Sequence, residues 1–236
     1  MSSRTSCRLK NLKLKIQDKE YPPLEAIQTL QSTSKANFVE TAELHVTLGI
    51  NPKYADQQLR ATVILPSGTG KDVSIAVIAR GDKELEARES GADLVGSEQL
   101  IEEIANGRLD FNYLITTPEM MPLIARLGKI LGPRGVMPSP KAGTVTSNIR
   151  EAIQEFKAGK VEYKADRSGV VHIPFGKMNF SDNDLLSNLL AIRESLERNR
   201  PKGAKGKYWK SIYIASTMGP SIPIQVNSLN ETKATK

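Results

Sequence analysis

The sequence predicts two domains of different class: an outer α+β domain assembled from both ends of the chain, and an α/β domain inserted between them. Three observations support this prediction. The chain has 236 residues, a length that suits one or two domains. The formal charge is +3 over residues 1–66, −2 over 67–158 and +6 over 159–236. The pattern of apolar residues changes at the same places, so 1–66 and 159–236 are assigned to the outer domain and 67–158 to the insertion.

The first segment has the pattern of two helices followed by a strand. Apolar residues at helical spacing in the basic stretch 9–16 predict a first helix. Two adjacent prolines, Pro22 and Pro23, are typical of the start of a second helix. Polar and apolar side chains then alternate over residues 43–48, which is the pattern of a half-buried strand.

The middle segment alternates strands and helices with short links, which indicates βαβ units and a parallel sheet. In chain order, the predicted elements are a strand at 73–78, a helix at 82–90, a strand at 93–95, a helix that begins after Ser97, a strand at 111–116 and a helix at 119–127.

The last segment lacks this alternation. Its combination of a hairpin with long helical and strand patterns favours an α+β layer. The predicted elements are strands at 161–163 and 170–173 around a turn at 166–169, a long helix that begins after Ser181, a basic stretch at 201–210 and a strand at 211–216.

Composition excludes several classes of protein. The single cysteine, Cys7, excludes an internal disulfide and any paired-cysteine metal or redox motif. With only His45 and His172 besides, we expect no metal site and no cofactor. A mean hydropathy of −0.34 with short apolar runs predicts no membrane partner. The basic start, residues 1–15, would also suit a transit peptide, but its apolar spacing favours a helix.

The net charge points to a polyanionic partner. Lys and Arg number 33 and Asp and Glu number 26, which gives a formal charge of +7 and a pI of about 9.4. Nucleic acid is the commonest polyanion that such a chain binds.

An enzyme is the competing class, and it has little support. The loop 67–72 resembles part of a phosphate-binding loop, but Leu65 stands where that pattern needs glycine and Asp72 where it needs Ser or Thr. The loop also precedes a predicted strand, so we interpret it as a hinge. No glycine fingerprint for a dinucleotide and no serine-nucleophile motif occur. We therefore predict a non-enzymatic protein, with nucleotide binding through Lys71 and Arg134 as the alternative.

The stretch 127–145 is rich in glycine and proline, and we expect it to be irregular. Long ordered loops in compact domains are often functional, and Lys129, Arg134 and Lys141 could touch phosphate. A loop whose glycines and prolines only fix its shape is an equally good interpretation.

Three features could contact RNA. Phe38, just before a predicted strand, could stack on a base or ribose, although a core position is the commoner fate of a lone Phe. The loop 201–210 carries four lysines beside Tyr208 and Trp209 and could grip phosphates, or could simply be solvated. Residues 216–220 form a turn of small side chains whose backbone could meet 2′-hydroxyl groups.

Several motifs together resemble the L-one family of large-subunit ribosomal proteins over nearly the whole chain. The most specific are Gly132-Pro133-Arg134-Gly135 and Thr217-Met218-Gly219. The others are Leu48-Gly49-Ile50, Asp56-Gln57, Leu65 to Lys71, Gly91-Ala92-Asp93, Met137 to Lys141 and Gly143-Thr144-Val145.

The resemblance implies a Rossmann-like insertion in an outer RNA-binding domain. It implies binding to a stalk helix of large-subunit rRNA, where the family forms a mobile stalk that takes part in release of deacylated tRNA from the exit site. The implied partners are that rRNA helix, exit-site tRNA, the ribosome and, in bacterial members, their own mRNA, which they repress. The protein would be a monomer outside the ribosome, in a bacterial cytoplasm or a plastid stroma.

The resemblance also implies which residues bind RNA. Lys35 is included because Asn37 stands where many relatives carry Lys or Arg. Carboxylates repel phosphate, so Glu40 and Glu43 would accept from 2′-hydroxyls or orient a base. The full set is Lys35, Phe38, Glu40, Thr41, Glu43, Asp166, Ser168, Gly169, His172, Ser211, Thr217, Met218 and Gly219.

Hinges between the domains are expected where proline or glycine interrupts the flanking elements. These positions are Pro66, Ser67, Gly68 and Gly159.

Overall fold

The computed structural model describes residues 7–14, 16–17, 19–226 and 228–231. It divides into two compact units, one made of Met1–Gly70 with Tyr163–Lys236 and the other of Lys71–Glu162. The predicted combination of α+β and α/β architecture is confirmed. The predicted first helix is present from Cys7 to Lys13, whereas residues 1–6 and 15 of the basic start lie outside the described residues.

The described residues form short and long helices around three sheets. The α-helices are α1 (Cys7–Lys13), α2 (Pro23–Thr33), α3 (Asp82–Glu89), α4 (Glu98–Ala105), α5 (Met121–Ile124), α6 (Gly128–Arg134), α7 (Ile149–Lys157), α8 (Asp182–Arg198) and α9 (Ser228–Glu231). The strands are β1 (Thr41–Leu48), β2 (Arg60–Ile64), β3 (Ile75–Ile78), β4 (Leu94–Gly96), β5 (Tyr113–Thr116), β6 (Lys160–Lys164), β7 (Val170–Lys177), β8 (Trp209–Ser216) and β9 (Ile222–Ile224).

The first unit is built on a four-stranded antiparallel sheet in the order β7-β1-β8-β9, and β2 pairs with β6 separately. Burial alternates strictly along β1, as the predicted strand pattern requires, because successive side chains point to opposite faces of a sheet. The inward side chains, such as Leu44, Val46 and Ile214, are at most 2% exposed. Helices α2 and α8 pack on this sheet, so its apolar face is the core of the unit.

Helix α8 begins where the sequence predicts. The Ser181 hydroxyl accepts from the Asp184 N–H at 3.2 Å, which satisfies one of the free donors of the first turn. Two acids in that turn, Asp182 and Asp184, stabilise the helix because their negative charge lies near the positive end of the helix dipole. The apolar stripe along the helix is buried, and it consists of Leu185, Leu189, Ile192 and Leu196.

The second unit is a three-layer α/β unit. Its parallel sheet has the order β4-β3-β5, and every residue of β3 is buried because helices cover both faces. Side chains of α3 and α7, including Ala87 and Phe156, pack on one face. Side chains of α4, α5 and α6, including Ile104, Ile124 and Leu131, pack on the other.

The expectation that residues 127–145 are irregular is wrong for the first part of the stretch, which forms α6. The Gly135 N–H donates to the Gly132 carbonyl at 3.0 Å and the Val136 N–H donates to the Leu131 carbonyl at 3.3 Å. These two bonds end the helix in a Schellman motif, and Gly135 takes the left-handed conformation, φ 73°, that the motif needs. Leu131 and Val136 join the same apolar cluster, so packing outweighs the poor helix propensity of glycine and proline.

Within the described ranges, no helix is both long and apolar enough to cross a membrane. Nor do three His, Cys, Asp or Glu side chains of those residues converge in a way that could hold a metal ion.

Candidate nucleic-acid interface

One face of the four-stranded sheet is accessible to solvent. We call it the open face. On β1 its residues pair in register with residues of both neighbouring strands: His45, for example, lies opposite His172 of β7 and Tyr213 of β8. At about 3.4 Å per residue, the open face extends along β1 from Thr41 to Thr47 over roughly 20 Å. The open face consists of Thr41, Glu43, His45, Thr47, His172, Pro174, Ser211, Tyr213 and Ala215.

Two turns lie at one end of the open face, one before β1 and one after β8. The Glu40 carboxylate is hydrogen-bonded to both of them. The Glu40 side chain is fully buried. One carboxylate oxygen accepts from the Ala36 N–H at 3.0 Å, and the other accepts from the Met218 N–H at 2.9 Å. The turn before β1 and the turn after β8 are therefore held in one arrangement by a single carboxylate.

The hydrogen bonds that Glu40 accepts favour the charged form of its carboxylate. Burial by itself would raise the pKa, since it disfavours the charge. Hydrogen bonds from neighbouring groups, led by the Met218 N–H, outweigh burial and hold the pKa below its ordinary value. Because the Glu40 carboxylate is buried and accepts from backbone N–H groups, it is not available to RNA.

Large apolar side chains lie exposed on these two turns. Phe38, Val39 and Met218 are 55%, 53% and 53% exposed. A core position for Phe38, the commoner fate of a single Phe, is therefore excluded. Exposed aromatic and apolar groups at a polar surface are typical of a binding site.

The threonines of this edge stabilise each other. The Thr41 N–H donates to the Thr217 hydroxyl at 3.0 Å, and the Thr217 N–H donates to the Thr41 carbonyl at 3.2 Å. Lys177 donates to the Thr41 hydroxyl at 2.9 Å. Gly219 closes the turn with a bond to the Ser216 carbonyl at 3.0 Å. Thr217 and Met218 are thus presented on a turn that is tied to β1.

A third turn, residues 166–169, lies at the opposite end of the open face. One oxygen of Asp166 accepts from the N–H groups of Ser168 and Val170, both at 2.8 Å. Gly169 has φ 80°, and a Cβ there would lie 3.1 Å from the Ile50 carbonyl oxygen. Glycine is therefore required, because a side chain would be strained in this conformation. Gly169 is buried, its carbonyl accepts from the Leu48 N–H at 2.9 Å, and it positions the exposed Ser168.

A histidine pair occupies the middle of the open face. The Nδ1 atoms of His45 and His172 lie 2.8 Å apart, so one of them donates and the other accepts. Glu43 is 3.8 Å from the outer nitrogen of His45, and Tyr213 lies opposite His45 on β8. Burial, followed by the charge of His172, lowers the pKa of His45, while Glu43 partly offsets this.

We expect this pair to make the protein less stable in mild acid. Because the folded-state pKa of His45 lies below 6.5, its ordinary value, the unfolded chain binds more protons as the pH falls through that value toward the lower one. The free energy of unfolding should therefore decrease in this window. Urea unfolding at pH values between about 7.5 and 5.5 measures the effect. His45→Gln should show a shallower pH dependence than the wild type, and an identical dependence would contradict the assignment.

Sequence reasoning did not include His45, Thr47 and Tyr213 among the candidate contacts. A signal was available, since all three alternate with apolar residues along their strands and so share the face of Glu43. Their cross-strand register, however, depends on pairing that the sequence does not specify.

The basic loop 201–210 presents its lysines but not its aromatic rings. Lys202, Lys205 and Lys207 are exposed. Tyr208 is 3% exposed and its hydroxyl donates to the Leu196 carbonyl at 3.1 Å. Trp209 donates to Glu197 at 2.7 Å. Both rings are thus hydrogen-bonded to α8, and Tyr208 is too deeply buried to stack on a base.

The glycine-rich loop 67–72 lies between β2 and β3. A phosphate-binding loop would lead into a helix, whose N-terminal N–H groups bind the anion. Instead, Asn188 bonds this segment to α8: its amide oxygen accepts from the Ser67 N–H at 3.0 Å and its nitrogen donates to the Gly68 carbonyl at 3.0 Å. The predicted hinge position Gly159 closes α7, its N–H donating to the Phe156 carbonyl at 3.2 Å.

An antiparallel sheet with an open polar face, exposed apolar side chains at its edge and an excess of positive charge is the architecture of a nucleic-acid-binding protein. Comparison with known proteins agrees with this class. The model of the Ribosomal protein L1p/L10e family matches residues 30–220, and the chain belongs to this family. It is therefore a ribosomal protein rather than an enzyme.

Similar proteins occur in cyanobacteria and in plastids. The chain is 62% identical to the "Large ribosomal subunit protein uL1" of Thermosynechococcus vestitus over 97% of this chain and 96% of the relative. It is 61% identical to the "Large ribosomal subunit protein uL1c" of Porphyra purpurea over 96% and 99% of the two chains. It is 57% identical to the uL1 protein of Trichormus variabilis over 100% and 99%. The chain is thus of the bacterial and plastid type.

Proposed function

We propose that this chain is a structural protein of the large ribosomal subunit and that it binds large-subunit rRNA through the open face and the three turns at its two ends. The names of the relatives support assembly with the large subunit. The observation that carries the proposal is the shared anchoring of two exposed turns by Glu40. A protein gains from holding two surface turns in a fixed arrangement when those turns bind a ligand, and the buried Glu40 carboxylate holds them in this way.

Burial and hydrogen bonding support two different roles among the candidate residues. Glu40 and Gly169 are buried, so they position the turns that contact RNA. Asp166 is exposed but uses one oxygen to order its turn, which makes it a positioning residue as well. The proposed direct contacts are Lys35, Phe38, Thr41, Glu43, Ser168, His172, Ser211, Thr217, Met218 and Gly219.

The proposed chemistry is that of folded RNA rather than of duplex DNA. Phe38 and Met218 offer apolar surface for a base or ribose, and the hydroxyls of Thr217, Ser168 and Ser211 suit the 2′-hydroxyls of a minor groove. The Glu43 side chain is 41% exposed. Its carboxylate can accept from a 2′-hydroxyl, which DNA lacks.

The second unit has a different proposed role. Its segment carries a net charge of −2, so it is not a general phosphate-binding surface. We propose that it serves the mobile stalk function, in which deacylated tRNA leaves the exit site. The hydrogen bonds of Asn188 attach Ser67 and Gly68 to the first unit, so the proposed hinge rotation falls beyond Gly68. Repression of its own mRNA would use the same open face.

Titration of a stalk rRNA fragment at two salt concentrations tests the proposal. Met218→Asp removes an exposed apolar contact and adds a charge that repels phosphate, so we expect affinity to fall about tenfold or more. Leu85→Asp is the matched control, because Leu85 is 62% exposed on α3 of the second unit. It should bind as the wild type does.

A pure assembly scaffold without RNA contact predicts a different result. It would give no saturable binding, or binding that Met218→Asp does not change. Direct contacts with several phosphates would instead give a steep fall of affinity with salt in the wild type.

A further inference from the structure

A basic cleft lies in the first unit beside the 166–169 turn. It has a volume of about 480 Å³. The segment before β2 forms one wall, and the chain between β6 and β7 forms the other. We define the basic cleft by the residues that carry the argument: Lys53, Leu59, Arg60, Lys164, Asp166 and Arg167.

The charge of the cleft is strongly one-sided. Four of its side chains are cationic and one, Asp166, is acidic. One oxygen of Asp166 is already engaged by two backbone N–H groups at 2.8 Å. Three of the cations are exposed, and none of them forms an ion pair with a described residue. They are Lys53, Lys164 and Arg167. Such a surface has the composition that binds a polyanion.

The walls of the cleft are fixed by hydrogen bonds. The Ala165 N–H donates to the Leu59 carbonyl at 2.9 Å, which joins the two walls. The Gln58 amide donates to the Pro52 carbonyl at 3.4 Å. Leu59 is 4% exposed and gives the cleft an apolar floor. Cations above an apolar floor suit a ligand that is both charged and partly apolar, as a nucleotide chain is.

The cleft is continuous with the proposed RNA contacts. Asp166 belongs both to the cleft and to the turn that presents Ser168. The 166–169 turn therefore borders both the open face and the cleft.

We propose that the basic cleft binds the phosphodiester backbone of the same RNA, as a second contact beside the open face. This inference rests on the proposed function. Its chemistry is different from that of the open face: cations in the cleft meet phosphates whatever the base, whereas the open face recognises the shape of the folded RNA.

The test is the salt dependence of binding to the stalk rRNA fragment. Each phosphate that a protein neutralises contributes about 0.7–0.9 to the slope of log affinity against log salt. The variant K53Q/K164Q/R167Q should therefore reduce the slope by about two to three, with the largest loss of affinity at low salt. Lys53→Gln alone, in an exposed segment outside the helices and strands, should reduce it by about 0.7–0.9.

The control removes the same charge elsewhere in the first unit. The variant K13Q/K19Q/R198Q changes three exposed cations that lie outside the cleft and outside the basic loop 201–210. It should alter the slope much less. Urea unfolding of each variant checks that the fold is intact.

The possible outcomes separate this inference from the proposed function. If Met218→Asp weakens binding while the cleft variants keep the slope of the control, the cleft does not bind RNA and the inference is overturned. If neither Met218→Asp nor the cleft variants change binding, the proposed function itself fails. A reduced slope for the cleft variants alone supports a phosphate contact in the cleft.

Discussion

Glu40→Gln is expected to weaken rRNA binding about tenfold or more and to lower the free energy of unfolding by about 1–3 kcal/mol. The carboxylate accepts from two backbone N–H groups through two different oxygens. Glutamine has the same shape but only one oxygen, so its NH₂ group would face either the Ala36 or the Met218 N–H. One buried donor then lacks a partner, and one of the two turns loses its position.

Urea unfolding and RNA titration of the same variant measure the two effects. Glu43→Gln is the matched control, since it makes the same chemical change on the solvent-accessible face of β1. It should leave stability within about 0.5 kcal/mol of the wild type. Equal stability and equal affinity of Glu40→Gln and the wild type would show that the carboxylate does not order the turns.

The pH dependence offers a second measurement on Glu40→Gln. Because the folded-state pKa of Glu40 lies below its ordinary value of 4.5, the carboxylate contributes stability above that value. The contribution is lost as the pH falls through the folded-state pKa. The variant should therefore lose less stability than the wild type in strong acid.

Asn188→Leu is expected to destabilise the first unit by roughly 3–5 kcal/mol. Asn188 is 0% exposed. Its side chain bonds the Ser67 N–H at 3.0 Å and the carbonyls of Gly68 and Phe175 at 3.0 and 2.9 Å. Leucine fills a similar volume but leaves these three backbone groups without partners. The loss therefore reports hydrogen bonding rather than a cavity.

Two further variants sharpen the result for urea unfolding. Asn188→Asp keeps the acceptor for Ser67 but turns a second, charged oxygen toward two carbonyls, so it should be at least as unstable as Asn188→Leu. Asn183→Leu, an exposed position in the first turn of the same helix, should change stability by about 0.5 kcal/mol or less. A small effect of Asn188→Leu would mean that water replaces the lost bonds.

Much of the fold was predictable because local patterns and tertiary packing agree. The alternation along β1 and the capped, striped helix after Ser181 are each specified by a few residues. Helix α6 was not predicted, because glycine and proline disfavour helix locally and only the packing of Leu131 and Val136 overcomes them. Strand β9 is three residues long and has too short a pattern to recognise.

The candidate site was predictable in its location but less so in its roles. Motifs identified the turns around Phe38 and Met218, and both side chains are exposed. They did not distinguish Glu40, which is buried, from Glu43, which is accessible, since both are acids near the start of one strand. Nor did they reveal the contact of His45 with His172, which depends on register across a long chain separation.

The order of strands in the first unit has a consequence for synthesis of the protein. Strand β1 lies between β7 and β8, and both of these follow the whole second unit in the chain. Synthesis therefore completes the contiguous second unit first. During this time the apolar side of β1 is exposed, because β7 and β8 have not yet been made. The proposed RNA-binding surface is therefore complete only once β8 has emerged.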